Sequence, residues 1–467
     1  MFTFYFDETS RINRYVQLTR HIRQLIMGDE LKSGMQLPSR RQLAEHLRIS
    51  VTTVDLAYQQ LVAEGFVVSK PRSGFFVRDL IRLTSPNFPD KEINHSTLKE
   101  HTSYKHDFKT NLVDPNYFPY MRLAKLEKET ILDDIREKIN EQDLFGYDPL
   151  RNEIASYLRR YRGIQADPAQ ILIGTGSETM VTLVRGIFGS DAVVALENPG
   201  VPRIQKLYEA YGIRTCPISI DSEGIHPDEL VKNNCTLCHV TPSHQFPTGI
   251  VMPITRRLAL LEWVNKSSSR FLIEDDYDSE FRFGGNPIPA LSSLDREGRV
   301  IYMNSFTKSM APTLRINFLV LPPILVQRYR QVFLGFSSPV SLIAQVSLAR
   351  FMKQGWFESH LNRMKHLYRQ KRDRLIASLK TGLISDRIRI VGEDAGLHFL
   401  MEINADLHEK DVINAAQEAG IRIDGLSETA LVPLQEKACT LVLGYSGLTD
   451  VEQAADALKQ VIDKLIH

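Results

Sequence analysis

A chain of 467 residues is longer than one ordinary hydrophobic core serves, which predicts two or three domains. Its 43% hydrophobic and 24% charged residues are those of a globular chain, and the absence of any run of about 20 apolar residues argues against a membrane helix. Asp7 and Glu8 stand where a signal peptide carries its apolar stretch, and four cysteines make no disulfide framework, so the expected location is cytoplasmic. A net charge of +1 excludes a global field for nucleic acid; residues 1–80 hold 11 Lys and Arg against 8 Asp and Glu, so a DNA partner must be argued from pattern.

Tyr15, Leu18, Ile22, Leu25 and Ile26 recur at helical spacing and predict a first helix. Ser39, with Gln42 three residues on, has the form of a capping box opening a second helix that buries Leu43, Ala44 and Leu47. After Arg48-Ile49-Ser50, Ser50 caps a third helix with the stripe Val54, Ala57, Tyr58, Leu61 and Val62, closed by Gly65. Two short β-rich runs, 66–69 and 75–77, form a hairpin through Lys70-Pro71-Arg72-Ser73-Gly74.

Two helices joined by a three-residue turn have the spacing of a helix-turn-helix, whose second helix enters the major groove. The same geometry also serves protein contacts, and spacing alone leaves both readings open. The outward positions are Val51, Thr52, Thr53, Asp55, Leu56 and Gln59, with Arg40 and Arg41 on the preceding helix and Lys70 and Arg72 on the hairpin tip. The run LPSRRQLAEHLRIS-VTTVDLAYQQLVAEGFVVSKPRSGFFV closely resembles the winged helix-turn-helix of the GntR family. That resemblance implies a double-stranded DNA operator, with Arg40, Arg41, Thr52, Thr53, Gln59, Lys70 and Arg72 as candidate contacts. Family members usually have Arg after the serine that is Ser50 here; this chain has Val51.

Residues 79–106, with Pro86 and Pro89 and no sustained periodicity, read as a linker between a domain at 1–78 and one at 107–467. Beyond it, apolar strands at 171–173, 193–196, 236–240, 271–273 and 300–303 alternate with helices, which predicts an α/β body with a mostly parallel sheet. A smaller α+β lobe follows, with strands near 397–403, 421–423 and 440–443 and a last helix opened by a Thr449/Glu452 capping box.

Ligands of such sheets sit at the carboxyl ends of strands, where the unusual clusters of this chain fall. Gly174-Thr175-Gly176-Ser177-Glu178 opens a helix suited to a phosphate. Ser305-Phe306-Thr307-Lys308 with Arg315 offers an amine for a Schiff base beside a hydroxyl and a guanidinium. Glu274-Asp275-Asp276-Tyr277 offers a carboxylate for a pyridinium nitrogen. Each alone reads as a surface lysine or a helix cap; their order and spacing resemble the aminotransferases of fold type I over roughly residues 106–467.

TPSHQFPTG at 241–249, EDDYDSEFRF at 274–283 and SFTKSMAPTLR at 305–315 further resemble the MocR/GabR family, in which a GntR-type winged helix is fused to an aminotransferase-like domain. The resemblance implies pyridoxal 5'-phosphate with Lys308 as the Schiff-base lysine, Asp275 at the pyridinium nitrogen and Tyr277 at the 3-hydroxyl. Gly176, Ser177, Ser305 and Arg315 would hold the phosphate, with Arg203 retained from the family loop. It also implies a head-to-tail homodimer with each winged helix on the partner's body. No metal and no membrane is expected.

Two departures bear on function. Val201 stands where the family commonly has an aromatic that stacks on the cofactor ring. Val442 aligns with the Arg that pairs with a substrate α-carboxylate, which disfavours ordinary transamination. The expected function is therefore a regulator sensing PLP itself, with vitamin B6 genes as targets, rather than an enzyme. The alternatives are a regulator sensing a small amine or amino acid such as GABA or D-alanine, a true aminotransferase with a docking module, and a body that holds no cofactor. Cys235-Thr236-Leu237-Cys238-His239 spells a haem attachment signature, but on a predicted buried strand it reads as core.

Overall fold

The computed structural model describes residues 2–7, 10, 12–79, 104–138, 140, 143–284, 288–382, 384–434 and 438–466. The chain divides into two units, Met1–Glu100 and His101–His467. Most of the expected linker, residues 80–103, lies outside the described residues.

In the first unit, α1 spans Arg14–Met27, α2 Arg40–Leu47 and α3 Val51–Ala63, followed by the antiparallel pair β1 (Val67–Lys70) and β2 (Gly74–Val77). Local chemistry sets these boundaries. The Ser39 hydroxyl accepts the Gln42 backbone N–H at 3.3 Å, and the Gln42 side-chain Oε1 accepts the Ser39 N–H at 3.1 Å. Arg48 turns left-handed at φ 52 and stops α2, and Ser50 Oγ accepts the Thr53 N–H at 3.1 Å to start α3. Leu18, Ile22, Leu43, Val54 and Leu61 are fully buried together, each worth about 1.5–3 kcal/mol against exposure.

The second unit is centred on an eight-stranded sheet. Its strands are β3 (Ile171–Gly174), β4 (Val193–Asn198), β5 (Arg214–Asp221), β6 (Gly224–Ile225), β7 (Leu237–Val240), β8 (Phe271–Asp275), β9 (Val300–Ser305) and β10 (Asn317–Val320). Their spatial order is β3-β10-β9-β8-β7-β4-β5-β6. The run β9-β8-β7-β4-β5 is parallel; β10 is antiparallel to both β9 and β3, so β3 again points with the parallel set. Both faces are covered: Ile173, Tyr302 and Phe318 enter one core, while their neighbours Leu172, Ile301 and Leu319 enter another. The carboxyl ends of β3, β4, β7, β8 and β9 therefore lie along one edge.

The smaller lobe is the sheet β11 (Ile388–Val391), β12 (His398–Ile403), β13 (Asp424–Gly425) and β14 (Cys439–Gly444), in the order β11-β12-β14-β13. Ile421–Arg422 instead pairs in parallel with His106–Asp107, so the chain is already part of this unit at His106. In the last helix, Val451–Ile466, the Gln453 N–H is accepted by Asp450 at 2.9 Å, so Asp450 supplies the capping oxygen expected of Thr449. Among the described residues no helix is long and apolar enough to cross a membrane.

Candidate cofactor site and nucleic-acid interface

Lys308 follows β9 and is 9% exposed; burial pulls its ammonium down to about 8, against an upward pull from Asp278. Its Nζ donates to the Thr110 carbonyl. Next to β9, the acidic run ending β8 divides its duties. Glu274 accepts the Leu291 and Ser292 N–H groups, both at 2.7 Å. Asp276 forms a buried ion pair with Arg162 at 2.8 Å and accepts the Tyr302 hydroxyl at 2.6 Å. Asp278 accepts from His244 Nδ1 at 3.0 Å, and Glu280 from Asn304 Nδ2 at 3.0 Å. Asp275, at the strand end, lines a cavity and has His239 Nε2 3.5 Å away.

That cavity is walled by Val201, Ile204, Phe246 and Leu431. Val201 is 36% exposed at the start of helix Pro202–Ala210, and it offers no π-face. Phe246, from the TPSHQFPTG motif, lines the same cavity as Val201. It is half-buried beside Tyr277 and His398, with ring centroids 6.4 and 5.2 Å away. The sequence gives Phe246 no role in its motif; only the fold brings it to the cavity that Val201 also lines.

The expected phosphate residues gather about one acid. Gly176, at φ +113, precedes helix Ser177–Phe188, and a Cβ there would stand 2.8 Å from Glu178 Oε2 and 3.4 Å from the Arg315 guanidinium. Glu178 pairs with Arg203 at 3.0 Å and with Arg315 at 3.3 Å. Burial pushes its carboxyl up, but its own backbone N–H and the two guanidiniums outweigh that and hold it below the usual range. Ser305 lies opposite Asn317 across β9 and β10, and Asn317 Nδ2 donates to the Gly176 carbonyl at 2.9 Å.

Val442 is 1% exposed and packs with Leu400 and Leu426. Its register partner Leu400 stands two residues from His398 on the same strand, so Val442 shares the sheet face of His398. Cys235 and Cys238 are buried, and His239 Nδ1 lies 3.4 Å from the Tyr208 hydroxyl.

On the first unit, Val51, Thr52, Leu56 and Gln59 are exposed along α3, and Arg41 is exposed on α2. Arg40 is paired with Asp55 at 2.5 Å, and Asp55 also accepts from Gln59 at 2.9 Å. Thr53 is half-buried with its hydroxyl 2.8 Å from Ser50 Oγ, so it serves the cap instead of the outward face expected of it. Lys70 lies over the Phe76 ring at 4.8 Å, and Arg72 is exposed at the hairpin tip with φ 60.

Residues 14–77 match the bacterial regulatory proteins of the gntR family, and residues 100–436 match aminotransferase class I and II. The HTH-type transcriptional regulator YdeL of Bacillus subtilis is 36% identical over 97% of this chain and 98% of its own. The probable rhizopine catabolism regulatory protein MocR of Rhizobium meliloti is 30% identical over 95% of this chain and 92% of its own. The chain belongs to the MocR-type GntR family. It is thus a DNA-binding transcription regulator with an aminotransferase-like body. The pyridoxine biosynthesis regulator PdxR of Corynebacterium glutamicum is also similar, at 29% identity over 88% of this chain and 87% of its own. The α-aminoadipate aminotransferase LysN of Thermus thermophilus, solved with N-(5'-phosphopyridoxyl)-L-leucine, superimposes with a TM-score of 0.64 at 26% identity, over 77% of this chain and 93% of that one.

The cofactor of this body is pyridoxal 5'-phosphate. The residues present fit it: a buried amine with a depressed pKa, a carboxylate at the adjoining strand end, and two guanidiniums at a helix start where no Cβ fits.

Proposed function

We propose that this regulator uses pyridoxal phosphate on Lys308 as its sensor, and that the cofactor itself is the signal. The observation that carries this reading is Val442, closed in by Leu400 and Leu426 where a carboxylate-binding guanidinium would be needed. An apolar side chain at that position leaves an amino-acid carboxylate without a counter-charge, at a cost of several kcal/mol for a buried ion. Bound there, the cofactor supplies a carbonyl that condenses with an amine and a ring that acts as an electron sink.

The chain's residues take the following parts. Lys308 contributes its neutral amine; Asp275 keeps the ring nitrogen protonated; Tyr277 donates to the 3-oxygen. Gly176, Ser177, Ser305, Arg203 and Arg315 hold the phosphate, with Glu178 giving up its two guanidinium partners. Val201 and Phe246 flank the ring. Arg40, Arg41, Thr52, Gln59, Lys70 and Arg72 meet the operator, Arg41 and the hairpin cations chiefly at phosphates. The working form is a homodimer, which matches two winged helices to two half-sites. The targets are genes of vitamin B6 supply, in keeping with the name of the PdxR relative.

The experiment is operator binding, on DNA upstream of the chain's own coding sequence, with added pyridoxal phosphate, GABA or D-alanine. A change with pyridoxal phosphate alone supports the proposal. A strong response to an amino acid with none to added cofactor overturns it in favour of amine sensing. Steady transamination without specific DNA binding makes the protein an enzyme.

A further inference from the structure

His244 has no assigned part, yet it is buried between two groups that flank the cofactor site. Its Nδ1 lies 3.0 Å from Asp278 Oδ2 and 3.1 Å from the Tyr277 hydroxyl. The pair is almost solvent-free, with side-chain exposures of 1% for His244 and 2% for Asp278. Asp278 is fixed in turn by the Leu397 N–H at 3.3 Å. Gly396, at φ +71, closes the back of the imidazole: a Cβ there would stand 2.0 Å from His244 Cε1. The ring of His398 lies 4.8 Å away, its Nε2 engaged with the Pro247 carbonyl at 3.1 Å.

The chemistry of these atoms decides the direction of each bond. An ionised Asp278 only accepts, so His244 Nδ1 carries the proton and donates it. That nitrogen then has no lone pair for Tyr277, whose oxygen instead accepts a share of the same N–H. The Tyr277 hydroxyl proton is left to point elsewhere.

We infer that His244, held by Asp278, is a positioning residue that turns the Tyr277 hydroxyl into an obligate donor toward the 3-oxygen of the cofactor. This rests on the reading above that places Tyr277 at that oxygen. A donor there draws electron density from the oxygen and lowers the basicity of the nitrogen that shares its proton. Loss of His244 frees Tyr277 to rotate or to act as an acceptor, and the pKa of the lysine-linked chromophore rises.

The test is a visible-absorbance pH titration of the full-length protein loaded with pyridoxal phosphate, comparing wild type, Tyr277→Phe, His244→Phe and the double variant. His244→Gln, which retains an N–H donor, and Asp278→Asn are added so that a poorly folded phenylalanine variant does not decide the matter. The expected result is that Tyr277→Phe raises the chromophore pKa and His244→Phe raises it in the same direction. His244→Gln recovers part of the wild-type value, and His244→Phe adds nothing once Tyr277 is Phe. Equal shifts from His244→Phe with and without the Tyr277 hydroxyl, or no shift from His244→Phe and Asp278→Asn while Tyr277→Phe moves the titration, would overturn the inference alone. No shift from Tyr277→Phe overturns both it and the role of Tyr277; no visible band in wild type overturns the cofactor reading itself.

Discussion

Lys308 is defined by burial more than by its neighbours. An exposed lysine ammonium releases its proton near 10.4, whereas burial brings this one to about 8 despite the pull of Asp278. The folded pKa lies below the unfolded one, so folding favours the neutral amine, and stability rises with pH between about 8 and the unfolded value. The neutral amine is also the nucleophile. The rate at which pyridoxal phosphate is captured should therefore climb with pH and level off above about 8, measured by stopped-flow absorbance. A climb that continues past pH 10 would place Lys308 in water. The residue scale is also where the sequence was most and least informative. Lys308, Asp275, Gly176 and Arg315 announce themselves because each is chemically unusual at a strand end. Glu178, Phe246, Asp278 and His244 are ordinary residue types, and their importance lies in contacts across 25 to 34 residues or more that no spacing reveals.

At the scale of elements, the legible parts were those with local causes. Capping by Ser39 and Ser50 and the stripes of α1 and α3 are written in consecutive residues, and the strands Val193–Asn198, Leu237–Val240 and Phe271–Asp275 are short apolar runs. Arg214–Asp221 is not legible because Pro217 and its polar residues suit a strand near the sheet margin, paired over six residues with β4 but on its outer side with only two residues of β6. Asn317–Val320 was missed because it is four residues long and directly follows the Arg315 turn. Ser39→Ala should cost about 1 kcal/mol by removing the α2 cap, read as a lower denaturation midpoint of the first unit's signal. Arg162→Met acts differently: it strands Asp276 in the core and should cost about 3–5 kcal/mol, read by thermal unfolding. A loss under about 1 kcal/mol would mean that the pair is not buried as described.

At the scale of the molecule, the family relationship joins a DNA reader to a cofactor body, and the two departures at 201 and 442 bear on what the body does with its cofactor. At 201 the ring would meet a valine, with Phe246 lining the same cavity. Among the described residues, Val442 is buried with Leu400 and Leu426, and Val391 and Leu434 pack against them. On the DNA side, the exposed cations Lys70 and Arg72 suit phosphates. Replacing either with Ala should weaken binding uniformly across sequences and lower the salt slope by about 1, whereas Gln59→Ala should relax sequence preference. Val51 offers an apolar side chain at the start of α3, suited to a thymine methyl, where relatives usually place a cation.

If the state of Lys308 is communicated to the operator, footprinting the chain's own upstream region with wild type and with Lys308→Ala, each with and without pyridoxal phosphate, will separate the two proteins. The cofactor should change wild-type protection and leave the Lys308→Ala pattern unchanged, with the variant still folded and still bound to DNA. The same cofactor response in both proteins, or none in wild type loaded to saturation, would contradict that communication.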